Sequence, residues 1–214
     1  MTIFAFRNFL PRSILAGLAA ALLLAGCALG GRSGPPATVY DFGPPAQRAA
    51  TAPVSLAVEV RAPAWLDGTA IAYRLAYEDP LRLREYSGSR WAGGAAQLLA
   101  QRLRQQLGAT AANGAVDCLL RVDVQEFTQV FDTAERSRGV VQAEAFLLDA
   151  GRRILARRVF SVERPAASQD ARGGAAALVA ASGQLGGELA SWLVESDGAR
   201  SCAPAAGNAR SRAQ

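Results

Sequence analysis

Through the middle of the chain the apolar positions change period several times, and each change predicts an element. From Val54 to Ala62 they alternate, with Val54, Leu56, Val58 and Val60 on one side and Glu59 and Arg61 on the other, as in a half-buried strand. Pro63 ends that strand, since proline cannot donate to a ladder. Ile71 to Leu75 predicts a second strand and Leu81 to Tyr86 a third, with Glu78-Asp79-Pro80 between them and Gly88 breaking the pattern afterwards. From Gly93 to Leu107 the period lengthens: Leu99, Leu103 and Leu107 stack on one helical face, and Gly108 suits the left-handed residue that closes a helix. Alternation returns at Cys118 to Phe127, with Leu120, Val122 and Val124 inward, and continues at Val140 to Leu148 and Arg153 to Val162. Asp149-Ala150-Gly151 between the last two reads as a tight hairpin turn. Gly174 to Glu195 is the longest helix, striped by Leu178, Ala181, Leu185, Leu189 and Trp192.

A helix with one apolar stripe must cover something, and a sheet is the available surface. The expected fold is therefore α+β: a mainly antiparallel sheet with two helices packed on one face, in a single domain over residues 54–197. No repeat of solenoid length is visible in the 214 residues.

The two ends read differently. Arg7 and Arg12 precede an apolar run from Ile14 to Ala25, which is short of the ~20 residues needed to span a bilayer but suits the core of a signal peptide. The run closes on Leu24-Ala25-Gly26-Cys27, which resembles the bacterial lipobox. Cleavage after residue 26 would leave Cys27 to carry acyl chains, and more than one chain makes membrane release negligible. The competing reading is an ordinary secretory signal with an incidental cysteine. Ala28 stands where an aspartate would resemble an inner-membrane retention signal, so the expected location is the outer membrane, lipid-anchored and facing the periplasm. Residues 27–53 are rich in Gly, Pro and Ala and read as a tether with a short strand near residues 39–42; residues 198–214 read as a disordered tail.

Composition then narrows the chemistry. All 23 basic residues are arginine, and lysine and histidine are missing altogether. That removes histidine-based catalytic triads, imidazole metal ligands, lysine Schiff bases and the P-loop lysine. The glycine-rich stretches fit no phosphate or dinucleotide loop, so no cofactor and no metal is expected. The net charge of +5 could suggest nucleic acid, but the arginines are scattered and an exported protein does not meet the genome; some could instead face anionic headgroups. With Cys27 acylated, Cys118 and Cys202 remain, and an oxidising periplasm favours a disulfide between them. Such a bridge would be worth ~4 kcal/mol in the chain-entropy model; the alternative is two unpaired thiols.

Several strings together resemble the ABC-type transport auxiliary lipoprotein family, the outer-membrane partners of MCE-domain lipid-transport systems. They are Tyr40-Asp41-Phe42-Gly43, Val58 to Leu66, Ile71-Ala72-Tyr73-Arg74, Ser89-Arg90-Trp91-Ala92, Val124 to Phe131, and Arg158 to Pro165. The resemblance spans about residues 39–195. It implies an accessory role without catalysis: docking on an assembly of an ABC transporter and MCE-domain rings that moves lipids or other hydrophobic molecules across the envelope.

The candidate working residues are Trp65, Tyr73, Tyr77, Tyr86 and Trp91, interleaved with Arg74, Arg82, Arg84 and Arg90. Aromatic side chains and arginine together make interface hot spots. Trp65, Tyr73, Tyr86, Arg90 and Trp91 are the expected partner-binding or lipid-binding surface. The competing reading places these rings in the core beneath the first helix; Trp192, at helical spacing with Leu185 and Leu189, reads as core. Glu78 and Asp79 read as solvated turn residues, Asp123 and Glu126 as pointing to opposite faces of one strand, and Asp132 and Glu135 as lying in a hairpin loop. Three functions follow: a docking component of a lipid-transport complex, with a phospholipid contact or self-association as further partners; a module holding an acyl chain in its own pocket; and, least supported by the spacing of acidic and serine residues, an enzyme.

Overall fold

The computed structural model describes residues 36–44, 56–111 and 116–196 together with Cys202. The expected signal segment 1–26, Cys27, most of the tether, the strand's first residues Val54 and Ser55, and the tail apart from Cys202 lie outside the described residues. The elements run β1 (Thr38–Tyr40), β2 (Leu56–Arg61), β3 (Ala70–Leu75), β4 (Leu83–Trp91), α1 (Ala95–Leu107), β5 (Thr110–Ala111), β6 (Cys118–Thr133), β7 (Arg136–Asp149), β8 (Ile154–Pro165) and α2 (Ala171–Glu195). The fold is α+β, with two helices on one face of an eight-stranded sheet.

β6 is the spine. Along one side it pairs antiparallel with β7 from Cys118↔Asp149 to Thr133↔Arg136, and β7 pairs antiparallel with β8. Along its other side two strands follow one another, both parallel to it: β2 beside its first half (Leu56↔Cys118 to Arg61↔Asp123) and β3 beside its second (Tyr73↔Gln129 to Leu75↔Phe131). β4 returns antiparallel to β3, and β1 lies parallel to β4. The sheet is mainly antiparallel because its long ladders are, but it is mixed.

The core lies between the sheet and the helices. Leu120, Val122 and Val124 of β6 meet Leu99, Leu103 and Leu107 of α1 and Leu178, Leu185 and Leu189 of α2. α1 closes at Gly108, whose φ of 63° is the left-handed conformation that glycine adopts without a Cβ clash. Its first turn lacks a local cap, but Asp67 supplies one from the β2–β3 connection by accepting from Ala96 N–H at 3.0 Å. α2 is capped by Asp170, which accepts from Gly173 N–H at 2.8 Å. The same helix sits so close to β7 that a Cβ on Gly139 would lie 2.7 Å from the Ala177 backbone. Gln106 of α1 donates to the Gly183 carbonyl of α2 at 3.1 Å, joining the helices.

Three expectations need correction. β4 does not stop at Gly88 but runs on to Trp91, because β1 on one side and Ala70 on the other supply ladder partners that a local pattern cannot reveal. A register shift between Val124 and Glu126 flips the parity of β6: Asp123 opposes Glu144 and Glu126 opposes Gln142. Asp123 and Glu126 therefore share the face away from the helices, rather than pointing oppositely. Asp132 lies within β6, paired with Arg138, and not in the hairpin loop. In the expected β7–β8 turn, Arg152 takes the left-handed conformation at φ 64°.

Candidate functional site

The aromatic and arginine-rich stretch divides into three environments. Trp91 belongs to the core. It is 2% exposed, packs edge-on against Phe42 with centroids 5.8 Å apart, and tilts against Phe127 at 5.8 Å, while Phe42 stacks on Phe127 at 6.1 Å. As an expected docking residue it is overturned: continuation of β4 turns its ring inward, with Trp91 N–H bonded to the Thr69 carbonyl at 2.7 Å. Phe42, from the stretch read as tether, is buried in the same cluster. Arg102 of α1 fixes it there by donating to the Phe42 carbonyl and, at 3.4 Å, to that of Pro44. Burial lowers the Arg102 pKa, opposed by the nearby Asp41 carboxylate.

Tyr73 and Tyr86 form the second environment. Their rings lie 4.5 Å apart, both half-buried, and Tyr73 meets Phe131 edge-on at 5.9 Å. Tyr86 Oη donates to Gln129 Oε1 at 2.9 Å, Gln129 Nε2 donates to Ser137 Oγ at 2.8 Å, and Ser137 Oγ donates to Gln169 Oε1 at 2.7 Å. This chain runs from β4 through β6 and β7 to the loop before α2. Burial, and then the proximity of Tyr73 and Asp170, push the Tyr86 hydroxyl up to about 12. It is thus a neutral donor whose work is to fix strand register and the start of α2. Arg74 and Arg84 are engaged nearby, with Glu126 at 3.3 Å and Glu78 at 2.6 Å.

The third environment is open. Trp65, in the turn between β2 and β3, is 53% exposed. Arg90 is exposed on β4, opposite Ala70 on one side and Val39 on the other, and Val39 is itself exposed. Arg90 and Val39 are thus neighbouring exposed residues on β4 and β1, and Trp65 is an exposed ring in the β2–β3 turn. Tyr77 and Leu81 are exposed at the far end of β3. Trp65 and Arg90 are expected at the surface from the sequence and Val39 is not, although the short strand near residues 39–42 is expected; Phe42, at the end of that stretch, packs into the core instead of remaining in the tether.

Other chemistry is sparse. Cys118 and Cys202 form a disulfide with Cα atoms 5.5 Å apart, within the usual range for such a bridge. Among the described residues no cluster of three His, Cys, Asp or Glu side chains could hold a metal ion. Two open depressions border the helices: one of about 590 Å³ between β8 and α2, and one of about 410 Å³ between β2 and α1. Charged residues line both, including Arg158, Arg164 and Glu188 in the first and Glu59, Asp67 and Arg104 in the second.

A family model described as "ABC-type transport auxiliary lipoprotein component" matches residues 40–190. The chain is similar to the crystal structure of XCC0632 from Xanthomonas campestris, described there as DUF330, with 27% identity and a TM-score of 0.62 over 74% of this chain and 95% of that one. A second crystal structure, of an uncharacterised protein, shares the fold with a TM-score of 0.60 at 17% identity, covering 74% of this chain and 99% of its own. No curated protein matches.

Proposed function

The chain belongs to the ABC-type transport auxiliary lipoprotein family, and from that premise we propose that it is the outer-membrane docking component of an MCE-type system moving lipids or other hydrophobic molecules between the membranes. The observation that carries this reading is the joint one: the family match covers the domain described above, and Leu24-Ala25-Gly26-Cys27 precedes it at lipobox spacing. Acylated Cys27 holds the domain at the periplasmic face of the outer membrane, and the domain offers a non-catalytic surface to the MCE rings. Trp65, Arg90 and Val39 are the residues proposed to meet them. They combine a rigid amphipathic ring, a guanidinium and an aliphatic side chain on ordered backbone, the make-up of an interface centre. Among the described residues, the two open depressions beside the helices are lined by charged side chains, which does not favour storage of an acyl chain in either.

The test is recovery of partners with the tagged, mature protein from gently solubilised membranes. An MCE-domain protein and its ABC transporter should co-purify, and Trp65→Ala with Arg90→Ala should cut that recovery about tenfold or more without moving the unfolding midpoint. Recovery unchanged by the double substitution removes the proposed surface. Absence of any MCE-domain protein removes the role. Intact-mass analysis of the same preparation reads acylation of Cys27 separately.

A further inference from the structure

β3, β6 and β8 finish at one end of the sheet, and that end holds apolar side chains out in water. In the β3–β4 turn Leu81 is 88% exposed and Tyr77 46% exposed. The exposed β6–β7 turn, Ala134-Glu135, lies at the same end. The β3–β4 turn is fixed by its own hydrogen bonds. Ala76 N–H donates to the Phe131 carbonyl at 3.0 Å, Glu78 and Asp79 N–H both donate to the Leu75 carbonyl at 2.9 Å, and Leu81 N–H donates to the Asp79 carboxylate at 3.0 Å.

We propose that this end of the sheet faces the membrane, with Tyr77 and Leu81 entering the headgroup boundary of a phospholipid bilayer and Arg82 and Arg136 meeting lipid phosphates. The inference rests on the acylation of Cys27 proposed above. A lipid surface is chosen because of the course of the chain. β1 runs parallel to β4, with Thr38 beside Ser89. Followed back from Thr38 toward its amino terminus, the chain therefore heads in the direction of Leu83 and the β3–β4 turn. From Ser89 to Leu83 is at most ~20 Å of strand. Cys27 stands eleven positions before Thr38, a reach of at most ~38 Å. Acyl chains on Cys27 can thus enter a bilayer while the turn rests on it. With this end leading, the same tether keeps the turn within ~20 Å of the surface. That confinement raises the effective concentration of lipid at the turn, so a contact made by a few side chains suffices.

The side chains suit such a boundary. Tyr77 offers an amphipathic ring and Leu81 an apolar one-point insertion. Arg82 and Arg136 are exposed and form no ion pair among the described residues, which leaves both guanidinium groups free for phosphate. Of the carboxylates in and beside these turns, Glu78 pairs with Arg84 at 2.6 Å, Asp132 pairs with Arg138, and Asp79 accepts from Leu81 N–H; Glu135 remains. The opposite end of the sheet is a weaker match. Ile154 is 56% exposed there, but Arg152 and Arg153 beside it are engaged by Glu59 and Asp149, and the chain at Thr38 heads the other way. With the β3–β4 turn on the membrane, Arg90 and Val39 lie at the far end of β4 from the lipid.

The experiment attaches an environment-sensitive fluorophore to Ala134→Cys, beside the turn, or to Ile154→Cys, at the opposite end, in the mature full chain. Cys118 and Cys202 are bonded to each other, so the new thiol takes the label. Acylated Cys27 holds the protein on vesicles of phosphatidylethanolamine and phosphatidylglycerol. If intact mass shows Cys27 unmodified, a hexahistidine tag in its place holds the chain on nickel-chelating lipid, so that failure of the acylation and failure of the contact are read separately. Quenching by a lipid-borne nitroxide should be about threefold or more stronger for the Ala134→Cys label than for the Ile154→Cys label. Leu81→Asp with Tyr77→Asp should bring the first down to the second, and Arg82→Glu with Arg136→Glu should lower it in part. Circular dichroism of each variant establishes that the fold is kept; if the Leu81 and Tyr77 pair fails to fold, Leu81→Asp alone reads the contact. Equal quenching of the two labels, stronger quenching of the Ile154→Cys label, or quenching beside the turn that is indifferent to both pairs of substitutions overturns the proposal. The vesicles contain no MCE-domain protein, so such a result leaves the docking role to its own test.

Discussion

The two flanks of β6 are built on different principles. On one flank β7, β8 and α2 follow directly in sequence, through a two-residue turn at Ala134-Glu135 and the Asp149–Arg153 turn. Each strand is placed by the one before it. On the other flank β2 and β3 dock in parallel, and β4 and β1 extend the sheet from them. Parallel neighbours cannot be joined by a tight turn, so this flank is held by what its side chains insert. Phe42 and Trp91 enter the core against Phe127, Asp67 caps α1, and Arg102 holds the chain at Phe42. One flank is specified locally and the other by long-range packing, and the proposed partner surface of Trp65, Arg90 and Val39 lies on the second.

The contrast predicts where the protein breaks most readily. Trp91→Ala removes the ring that joins β4 to Phe42 and Phe127, and large aromatic deletions in a core cost about 3–5 kcal/mol. Trp65→Ala removes an equally large ring from the surface and should stay within about 0.5 kcal/mol of wild type. Urea unfolding of the two variants compares them directly. Equal midpoints would mean that Trp91 does not stitch this flank, and that exposure is not what separates the two tryptophans.

The same contrast explains what could be read from the sequence. The strands β6, β7 and β8 and the β7–β8 turn were legible from contiguous alternation and turn residues, but β6 runs on to Thr133 and β7 begins at Arg136, beyond the Cys118–Phe127 and Val140–Leu148 that the alternation marked. Both helices were legible too, from Leu99-Leu103-Leu107 and Leu178-Leu185-Leu189, as was the end of α1 at Gly108. The parallel docking of β2 and β3 was not, because no local feature of Val58 or Tyr73 names its neighbour. The bulge near Gln125 was not either, and it alone reverses the facing of Glu126 relative to Asp123. Of the expected surface, Trp65 and Arg90 stand exposed. Tyr73 and Tyr86 are half-buried, and Tyr86 spends its hydroxyl on Gln129. Trp91 is core. Composition marked the stretch rich in aromatics and arginine, and tertiary packing decided which of its rings reach solvent.

A second prediction concerns the locally built flank. The disulfide spans 84 residues and ties Cys118, where β6 begins, to Cys202 beyond α2. It encloses β6, β7, β8 and α2, so its entropic constraint on the unfolded chain falls on the flank least in need of it. Replacing both cysteines with alanine should cost about 2–4 kcal/mol, read as a lower urea midpoint with the far-UV spectrum retained. A cost near zero would show that the consecutive hairpins already restrict the unfolded chain as much as the covalent bridge does.

A smaller loss than that of the disulfide tests the same flank at the start of α2. Asp170 accepts from Gly173 N–H and from Ser168 Oγ at 2.7 Å, and these bonds, the Ser168 hydroxyl first, hold its carboxyl below the usual carboxylate range. A depressed pKa in the folded state means that the carboxylate form is favoured by folding. Its contribution is therefore present above the ordinary value near ~4 and fades as pH falls through the folded one. Asp170→Ala should cost about 1 kcal/mol at pH 7, the worth of a helix cap, and the gap to wild type should close as the medium is acidified below about pH 4. The pH course separates capping from packing. Asp170 also lies close enough to raise the Tyr86 pKa, at the end of the Tyr86–Gln129–Ser137–Gln169 chain that links β4 to the start of α2. A gap that stayed constant on acidification would place the loss in the contacts of that chain rather than in the cap, and would make this turn of α2 depend on the long-range flank after all.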